Sequence, residues 1–302
     1  MKELEQREEK EEREEYAIEV KNLTKKYDGF TLDHVSFAVP KGSIMGFIGQ
    51  NGAGKTTTIK AMLNVIRVNE GSISLLGKDW IKKEQEIKED IAVVFDEIPF
   101  HDNFNGIALS RMFKGLYKKW DEETFFTYLE RFQVPKKKKI GKLSKGMKMK
   151  LQIATALSHE AKLLIMDEAT TGLDPIVRNE MLDVFREYLQ DDQNSILMSS
   201  HITSDLEKIA DSVTFIDKGK ILLSGNKDEL LEHYGILRCT KEQYKALNKE
   251  EFVSARVSDF GVDVLVTDRL QAKRRYPDYV LEKTSLEEIM LFCVNREKKE
   301  WS

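Results

Sequence analysis

The chain has 302 residues, room for one large domain or for a medium and a small one. Hydrophobic residues make up 41%, enough for a sizeable core, and the net charge of −4 gives no global attraction to nucleic acid. No apolar run approaches the ~18–20 residues of a membrane span, the charged N-terminus does not read as a secretory leader, and Cys239 and Cys293 lack metal-ligand spacing and read as small buried side chains in a reducing compartment.

Residues 1–15 are almost wholly Glu, Lys, Arg and Gln and read as a charged extension. From Tyr16 onward, Ala17–Val20 and Val35–Val39 alternate like strands, and Lys41-Gly42 turns the chain into the apolar strand Ile44–Ile48. Gly49, Gly54, Lys55 and Thr56 then fill the pattern G-x-x-x-x-G-K-[ST] between that strand and a helix expected over about 55–66. Glycines let backbone N–H groups approach phosphate oxygens, and the following helix N-terminus adds partial positive charge. The loop from Gly49 through Asn51, Gly52, Ala53 and Gly54 to Lys55, Thr56 and Thr57 is therefore expected to bind a nucleoside triphosphate. Lys55 meets the β/γ-phosphates, and the Thr56 hydroxyl is placed to ligate Mg2+.

Gly71–Gly77 and Ile91–Phe95 read as further strands. Residues 97–150 then carry helical spacing (Leu109, Met112, Phe113, Leu116; Phe125, Leu129, Phe132), with Pro135 expected to stop the second helix. Strand–helix alternation resumes with strand Leu163–Met166, helix 176–189, strand Ser195–Ser199, helix 203–210 and a hairpin around Lys218-Gly219. A short helix over 229–235 closes the main domain. Residues 231–302 read as an accessory α+β piece, with strands Val253–Val257 and Val262–Val266. Its last helix has a capping box expected at Thr284 and Glu287, and Leu286, Ile289, Met290 and Cys293 facing inward.

The strand Leu163–Met166 ends in Asp167-Glu168, at the edge where open α/β sheets bind ligands. Asp167 fits a Mg2+ ligand, direct or through water, and Glu168 fits the base that polarises water for attack on a γ-phosphate. Around this strand lie Leu143-Ser144-Lys145-Gly146-Met147, Ala169-Thr170-Thr171-Gly172-Leu173-Asp174-Pro175, and His201 at the end of Met198-Ser199-Ser200-His201. This order of motifs resembles the ATP-binding-cassette (ABC) ATPase family over about residues 16–230.

The resemblance implies an α/β fold. A P-loop NTPase (RecA-like) core would carry an antiparallel β subdomain, a helical signature subdomain over about 97–150 and a small C-terminal α+β extension. It also implies a Mg2+-dependent ATPase in which two cassettes, as homodimer or heterodimer, sandwich ATP. Tyr27 would stack on adenine, Ser144 and Gly146 would cap the γ-phosphate bound by the other subunit, Asp174 would link the two sites, and His201 would contact the γ-phosphate. Where the family usually has a metal- and water-contacting Gln, this chain has Asp96 followed by Glu97. Lys145 and Met147 replace a usual Gly and the Gln of the signature, a form similar to drug and bacitracin-type peptide export cassettes, and Lys145 is expected to add positive charge near the partner's phosphates. A separate transmembrane permease would be the partner, with this chain peripheral on the cytoplasmic side of the membrane and no nucleic acid bound. A soluble ABC ATPase of translation or DNA repair is the alternative. The basic run Lys136–Lys139, with Lys142, Lys145, Lys148 and Lys150, reads first as a solvated loop, with anionic lipid or ATP steering as the functional options.

Overall fold

The computed structural model describes residues 15–248 and 250–296, and the backbone of 300–301, so the charged extension lies almost wholly outside the described residues. Two long antiparallel strands, β1 (Tyr16–Tyr27) and β2 (Phe30–Pro40), open the chain. β1 runs seven residues past the expected Val20. Register shifts around Asn22, which takes a left-handed φ of 49°, break the alternation there, so the sequence pattern ends before the strand does. The P-loop strand β3 (Ile44–Ile48) follows, then α1 (Lys55–Met62), which stops four residues short of the expected end. β4 (Glu70–Leu75) and β5 (Lys78–Asp79) complete a four-stranded sheet in the order β2-β1-β4-β5. A helix that the sequence pattern did not signal, α2 (Glu84–Asp90), leads into β6 (Ile91–Phe95).

The region of helical spacing forms α3 (Gly106–Leu116), α4 (Glu122–Arg131) and α5 (Lys145–Leu157), with a 3-10 turn at Ile140–Lys142. α4 ends at Arg131, before Pro135 is reached. Left-handed Gln133 reverses the chain and Val134 N–H donates to the Leu129 carbonyl, so the stop comes from the C-terminal turn and not from the proline. β7 (Leu163–Asp167), α6 (Pro175–Tyr188), β8 (Ser195–Ser200), α7 (Thr203–Ile209), β9 (Ser212–Asp217) and β10 (Lys220–Asn226) then build the central sheet. Its order is β10-β9-β3-β8-β7-β6, parallel except for the edge strand β10.

Both faces of this sheet are covered, which is why its inner strands read as unbroken apolar runs. Ile44 and Ile48 of β3 and Leu164 and Met166 of β7 face the helical region, packing with Phe125, Phe132 and Ile153. Phe47, Ile165 and Leu197 face the other way, against Ile18, Val20 and Leu32 of the antiparallel sheet.

The helix α8 (Lys227–His233) is capped by Asn226, two residues earlier than the sequence suggested. Beyond it, β11 (Gly235–Cys239), α9 (Lys241–Lys245), β12 (Phe252–Val257), β13 (Val262–Val266), α10 (Arg269–Arg275), β14 (Val280–Lys283), α11 (Leu286–Val294) and β15 (Glu300–Trp301) form the C-terminal region. Its sheet order is β14-β11-β13-β12-β15. The capping box of α11 is Ser285 with Glu288, one residue later than expected: Glu288 N–H donates to Ser285 Oγ, and Ser285 N–H donates back to Glu288 Oε2 at 3.2 Å. Cys239 and Cys293 are both free and buried, and burial pushes each thiol up to about 11.

Candidate nucleotide-binding site

The site forms where β3, β7 and β8 end side by side in the parallel sheet. In register, Phe47 lies beside Ser199, and Ser199 beside Asp167, so three chain segments far apart in sequence deliver their last residues to one edge. β3 is buried along its whole length and launches the loop Gly49–Gly54. A Cβ on Gly49 would fall 2.4 Å from the Ile216 carbonyl oxygen, so only glycine lets this strand turn there. Gly54 caps α1 with φ 117°, a conformation closed to ordinary L residues. The hairpin between β9 and β10 braces the loop from behind, with Gly219 N–H donating to the Ala53 carbonyl at 2.8 Å. Asn51, Gly52 and Thr56 are exposed and Thr57 is half-buried, so the outer rim of the loop is open.

Lys55 is 5% exposed and bends back over the loop. Its Nζ donates to the Gly49 carbonyl at 2.7 Å and to the Gln50 carbonyl at 3.2 Å, and lies 2.9 Å from Glu168 Oε1. Glu168 follows β7 in a left-handed conformation, φ 55°. Such backbone is uncommon for a residue with a Cβ and persists where surroundings enforce it. Here its N–H is held by Ser199, through the backbone carbonyl at 3.2 Å and Oγ at 3.1 Å. Glu168 Oε2 accepts from Thr171 Oγ1 at 2.8 Å and meets His201 Nδ1 at 2.6 Å. Burial pushes the Glu168 carboxyl up. Hydrogen bonds from Lys55 and Thr171, the Lys55 charge and the His201 contact outweigh that and hold it below the ordinary glutamate value. Oε1 is buried, with the Lys55 ammonium as its partner. Asp167 is buried and accepts from Ser199 Oγ at 2.7 Å.

Lys55, Asp167, Glu168 and His201 thus come together in one network, with Ser199 and Thr171 as members that the sequence reading passed over. The available signal for Ser199 was a polar residue closing the apolar run Ile196-Leu197-Met198, next to the strand that ends in Asp167. Ser144 and Asp174 sit elsewhere, each as the N-cap of a helix: Ser144 Oγ accepts from Met147 N–H at 3.2 Å, and Asp174 Oδ1 accepts from Ile176 and Val177 N–H groups. The two helix starts lie close, since a Cβ on Gly146 would meet Val177 at 3.5 Å. Tyr27, at the end of β1, is 46% exposed with Lys25 Nζ 5.0 Å from its ring centroid. Lys145, expected to add positive charge near a partner's phosphates, has its Nζ paired with Asp96 Oδ1 at 2.7 Å within the chain. Gln152 pins the strand just before Asp96, donating to the Phe95 carbonyl at 3.0 Å and accepting from its N–H at 3.2 Å.

The residues fit a triphosphate. The loop is shaped by glycines that a Cβ would clash with or distort, and its buried ammonium is satisfied only by carbonyls and a carboxylate that an anion could replace. They fit Mg2+ only jointly with that anion. Among the described residues no group of three or more His, Cys, Asp or Glu side chains could hold a metal, whereas Mg2+ commonly uses one or two carboxylates plus phosphate oxygens.

Comparison with known proteins agrees with this geometry. The ABC transporter family model matches residues 32–171. The bacitracin transport ATP-binding protein BcrA of Bacillus licheniformis is 38% identical over 211 residues, 68% of each chain. The ABC transporter ATP-binding protein YhcH of Bacillus subtilis is 28% identical over 302 residues, covering 94% of this chain and 98% of YhcH, so that likeness runs through the C-terminal region as well. A solved ATP-binding subunit of an ABC transporter superposes with a TM-score of 0.64 at 28% identity, covering 71% of this chain and 91% of that one. On the matched family model, these relatives and the fold, the chain belongs to the ABC transporter ATP-binding protein family.

Proposed function

We propose that this chain is the Mg2+-dependent ATPase subunit of an exporter that moves a peptide or drug through a separate membrane permease. The observation that carries the reading is the contact set of Glu168: a carboxylate held ionised between Lys55, Thr171 and His201 at the mouth of a glycine-rich anion loop. An ionised carboxylate can accept a proton from water, and His201 fixes its orientation from one side. On phosphate binding, Lys55 exchanges the Gly49 and Gln50 carbonyls and Glu168 for phosphate oxygens, which leaves Glu168 free to face a water. Thr56 and Asp167, with Asp96 one residue past the Phe95 that pairs with Asp167 in the sheet, would hold Mg2+, which would supply positive charge to the phosphates. Gly49, Asn51, Gly52, Ala53, Gly54 and Thr57 cradle the phosphates, and Tyr27 offers its exposed ring to the adenine.

Ser144, Gly146 and Asp174 serve a second cassette, identical or related, across a nucleotide sandwich. Binding energy closes the sandwich and loss of the γ-phosphate contact reopens it. A cavity of about 460 Å3 beside Asp96 supports a permease partner: it is apolar, opens between β6 and the helical region, and is lined by Phe95, Pro99, Phe100, Leu116 and Tyr117. No helix among the described residues is long and apolar enough to cross a membrane, and the reading places the chain peripherally, on the cytoplasmic side, against another chain that forms the path. The bacitracin transport activity in BcrA's name supports an antimicrobial peptide or drug as cargo and favours this reading over a role in translation or DNA repair.

The test is Glu168→Gln. It should bind ATP, lose hydrolysis by about 10²–10⁴-fold, and accumulate as an ATP-dependent dimer in size-exclusion chromatography with light scattering. A variant that stays monomeric under saturating Mg-ATP would count against the sandwich.

A further inference from the structure

The helical region carries a second feature that nucleotide binding does not use. Between Pro135 and Lys142 the chain reads P-K-K-K-K-I-G-K, five lysines with no carboxylate among them. Lys136, Lys137, Lys138 and Lys139 are all exposed. Their backbone is nonetheless fixed. Ile107 N–H donates to the Lys136 carbonyl, Ile140 N–H to the Phe104 carbonyl at 2.9 Å, and Gly141 N–H to the Asp102 carbonyl at 3.0 Å. Lys139 Nζ reaches Asn103 Oδ1 at 3.3 Å, and Lys136 Nζ lies over the Phe126 ring. Two segments are thus stitched into a platform whose lysine side chains point to solvent from an ordered base.

The stitched partner segment carries an aromatic that is not packed away. Phe104 is 37% exposed, with the His101 ring 6.0 Å from it. Immediately before His101, Pro99 and Phe100 already line the apolar cavity beside Asp96. The chain between Phe100 and Phe104 can span at most about 14 Å, so the lysine platform borders the cavity that the membrane partner is taken to fill. The nearest acidic side chain in the stitched segment, Asp102, has Lys148 at 3.8 Å.

We propose that this platform, Lys136–Lys139 with Phe104, is a contact surface for an anionic lipid bilayer beside the permease. Clustered lysines are attracted to anionic headgroups, and an exposed aromatic suits the headgroup level. The rest of the molecule opposes such binding, because the net charge is −4. Preference for an anionic bilayer would therefore report a local patch and not the protein's overall charge. The proposal rests on the transporter reading only for where the membrane lies, and its test does not involve ATP.

The experiment is co-sedimentation of the full chain with phosphatidylcholine vesicles, with and without phosphatidylglycerol, at low and high salt, for the wild type, the quadruple variant Lys136→Gln, Lys137→Gln, Lys138→Gln, Lys139→Gln, and Phe104→Ser. The expected result is at least tenfold stronger binding of the wild type to the anionic vesicles, lost at high salt and in the quadruple variant, and weakened in Phe104→Ser with its salt dependence kept. ATPase activity of both variants should match the wild type, which separates a failed platform from a misfolded chain and from failure of the ATPase reading. Equal binding of the wild type to both vesicle types, or full binding by the quadruple variant, would overturn the proposal. So would a wild type that ignores vesicles but binds RNA through the same lysines.

Discussion

Lys145 Nζ and Asp96 Oδ1 lie 2.7 Å apart, joining the first turn of α5 to the end of β6. The same lysine also crosses toward the loop after β7, since a Cβ on Gly172 would meet its Nζ at 3.2 Å. One side chain therefore links its own segment, the start of the signature helix, to two others with different proposed roles: Asp96 beside the apolar cavity, and the turn between Glu168 and Asp174. Two residues at which the sequence departs from the family's usual pattern, Lys145 and the first of the Asp96-Glu97 pair, are each other's partner.

This pair is half-exposed, and exposed ion pairs contribute only about 0–1 kcal/mol. Asp96→Asn and Lys145→Met should therefore each shift the unfolding midpoint by no more than about 2–4 °C. A change in ATPase rate then reflects the site and not folding: for Lys145→Met it should stay below about tenfold, far short of the effect of losing a general base, whereas Asp96→Asn also removes a proposed Mg2+ contact and should lose more. Single charge reversals, Asp96→Lys or Lys145→Asp, should lower the unfolding midpoint further, and the double reversal should recover most of the midpoint but not the full rate. Thermal unfolding alongside steady-state ATPase assays of the five variants checks this. A double reversal no better than the worse single one would show that the pair does not act as a unit.

The Glu168 carboxyl carries a second prediction, with a definite sign. Burial raises it, while Lys55, Thr171 and His201 lower it by more, so its folded pKa lies below the unfolded value of about 4.3. A carboxylate of this kind stabilises the folded chain above its unfolded pKa, and that contribution is lost as pH falls through the folded pKa. Glu168 should stay ionised across the neutral and mildly acid range. A 13C-carboxyl NMR titration, assigned by comparison with Glu168→Gln, should place its midpoint below about 4.3. In Lys55→Met the midpoint should rise, because burial then meets fewer opposing contacts. A midpoint that does not move would mean Lys55 is not what holds the carboxylate ionised.

How much of this was legible beforehand differs by residue. Gly49, Lys55, Asp167 and Glu168 could be read because each sits at a fixed offset from an apolar strand, and fully buried parallel strands leave an unmistakable run. The partner of Lys145 could not be read, because Asp96 is 49 positions away and only the packing of α5 against β6 brings the two together. The length of β1 was hidden by irregular register near Asn22, which interrupts the alternation that marks a strand. At α11 the sequence pattern put the capping box at Thr284 with Glu287, and the structure has it one residue later, at Ser285 with Glu288, with Leu286, Ile289 and Phe292 buried.

That same helix decides how the C-terminal region behaves. The separate strand pattern after residue 235 suggests a detachable module, but Leu286, Ile289 and Phe292 join the core cluster that contains Ile44 and Ile48 of the P-loop strand. Leu286 N–H donates to Glu207 Oε1 on α7 at 2.7 Å, and Ser254 Oγ donates to the Phe292 carbonyl at 2.8 Å, so α11 is fastened on both sides. Ile289 is fully buried in that seam. Ile289→Ala should cost about 2–5 kcal/mol, the range for deleting a buried aliphatic side chain. Because the seam is shared, the loss should appear as a lower midpoint of one cooperative transition, with tryptophan fluorescence and far-UV circular dichroism coinciding in urea. If Ile289→Ala instead splits the curve, with the ATPase portion unfolding at its original midpoint, the C-terminal region is an independent unit and α11 does not bind it to the P-loop core.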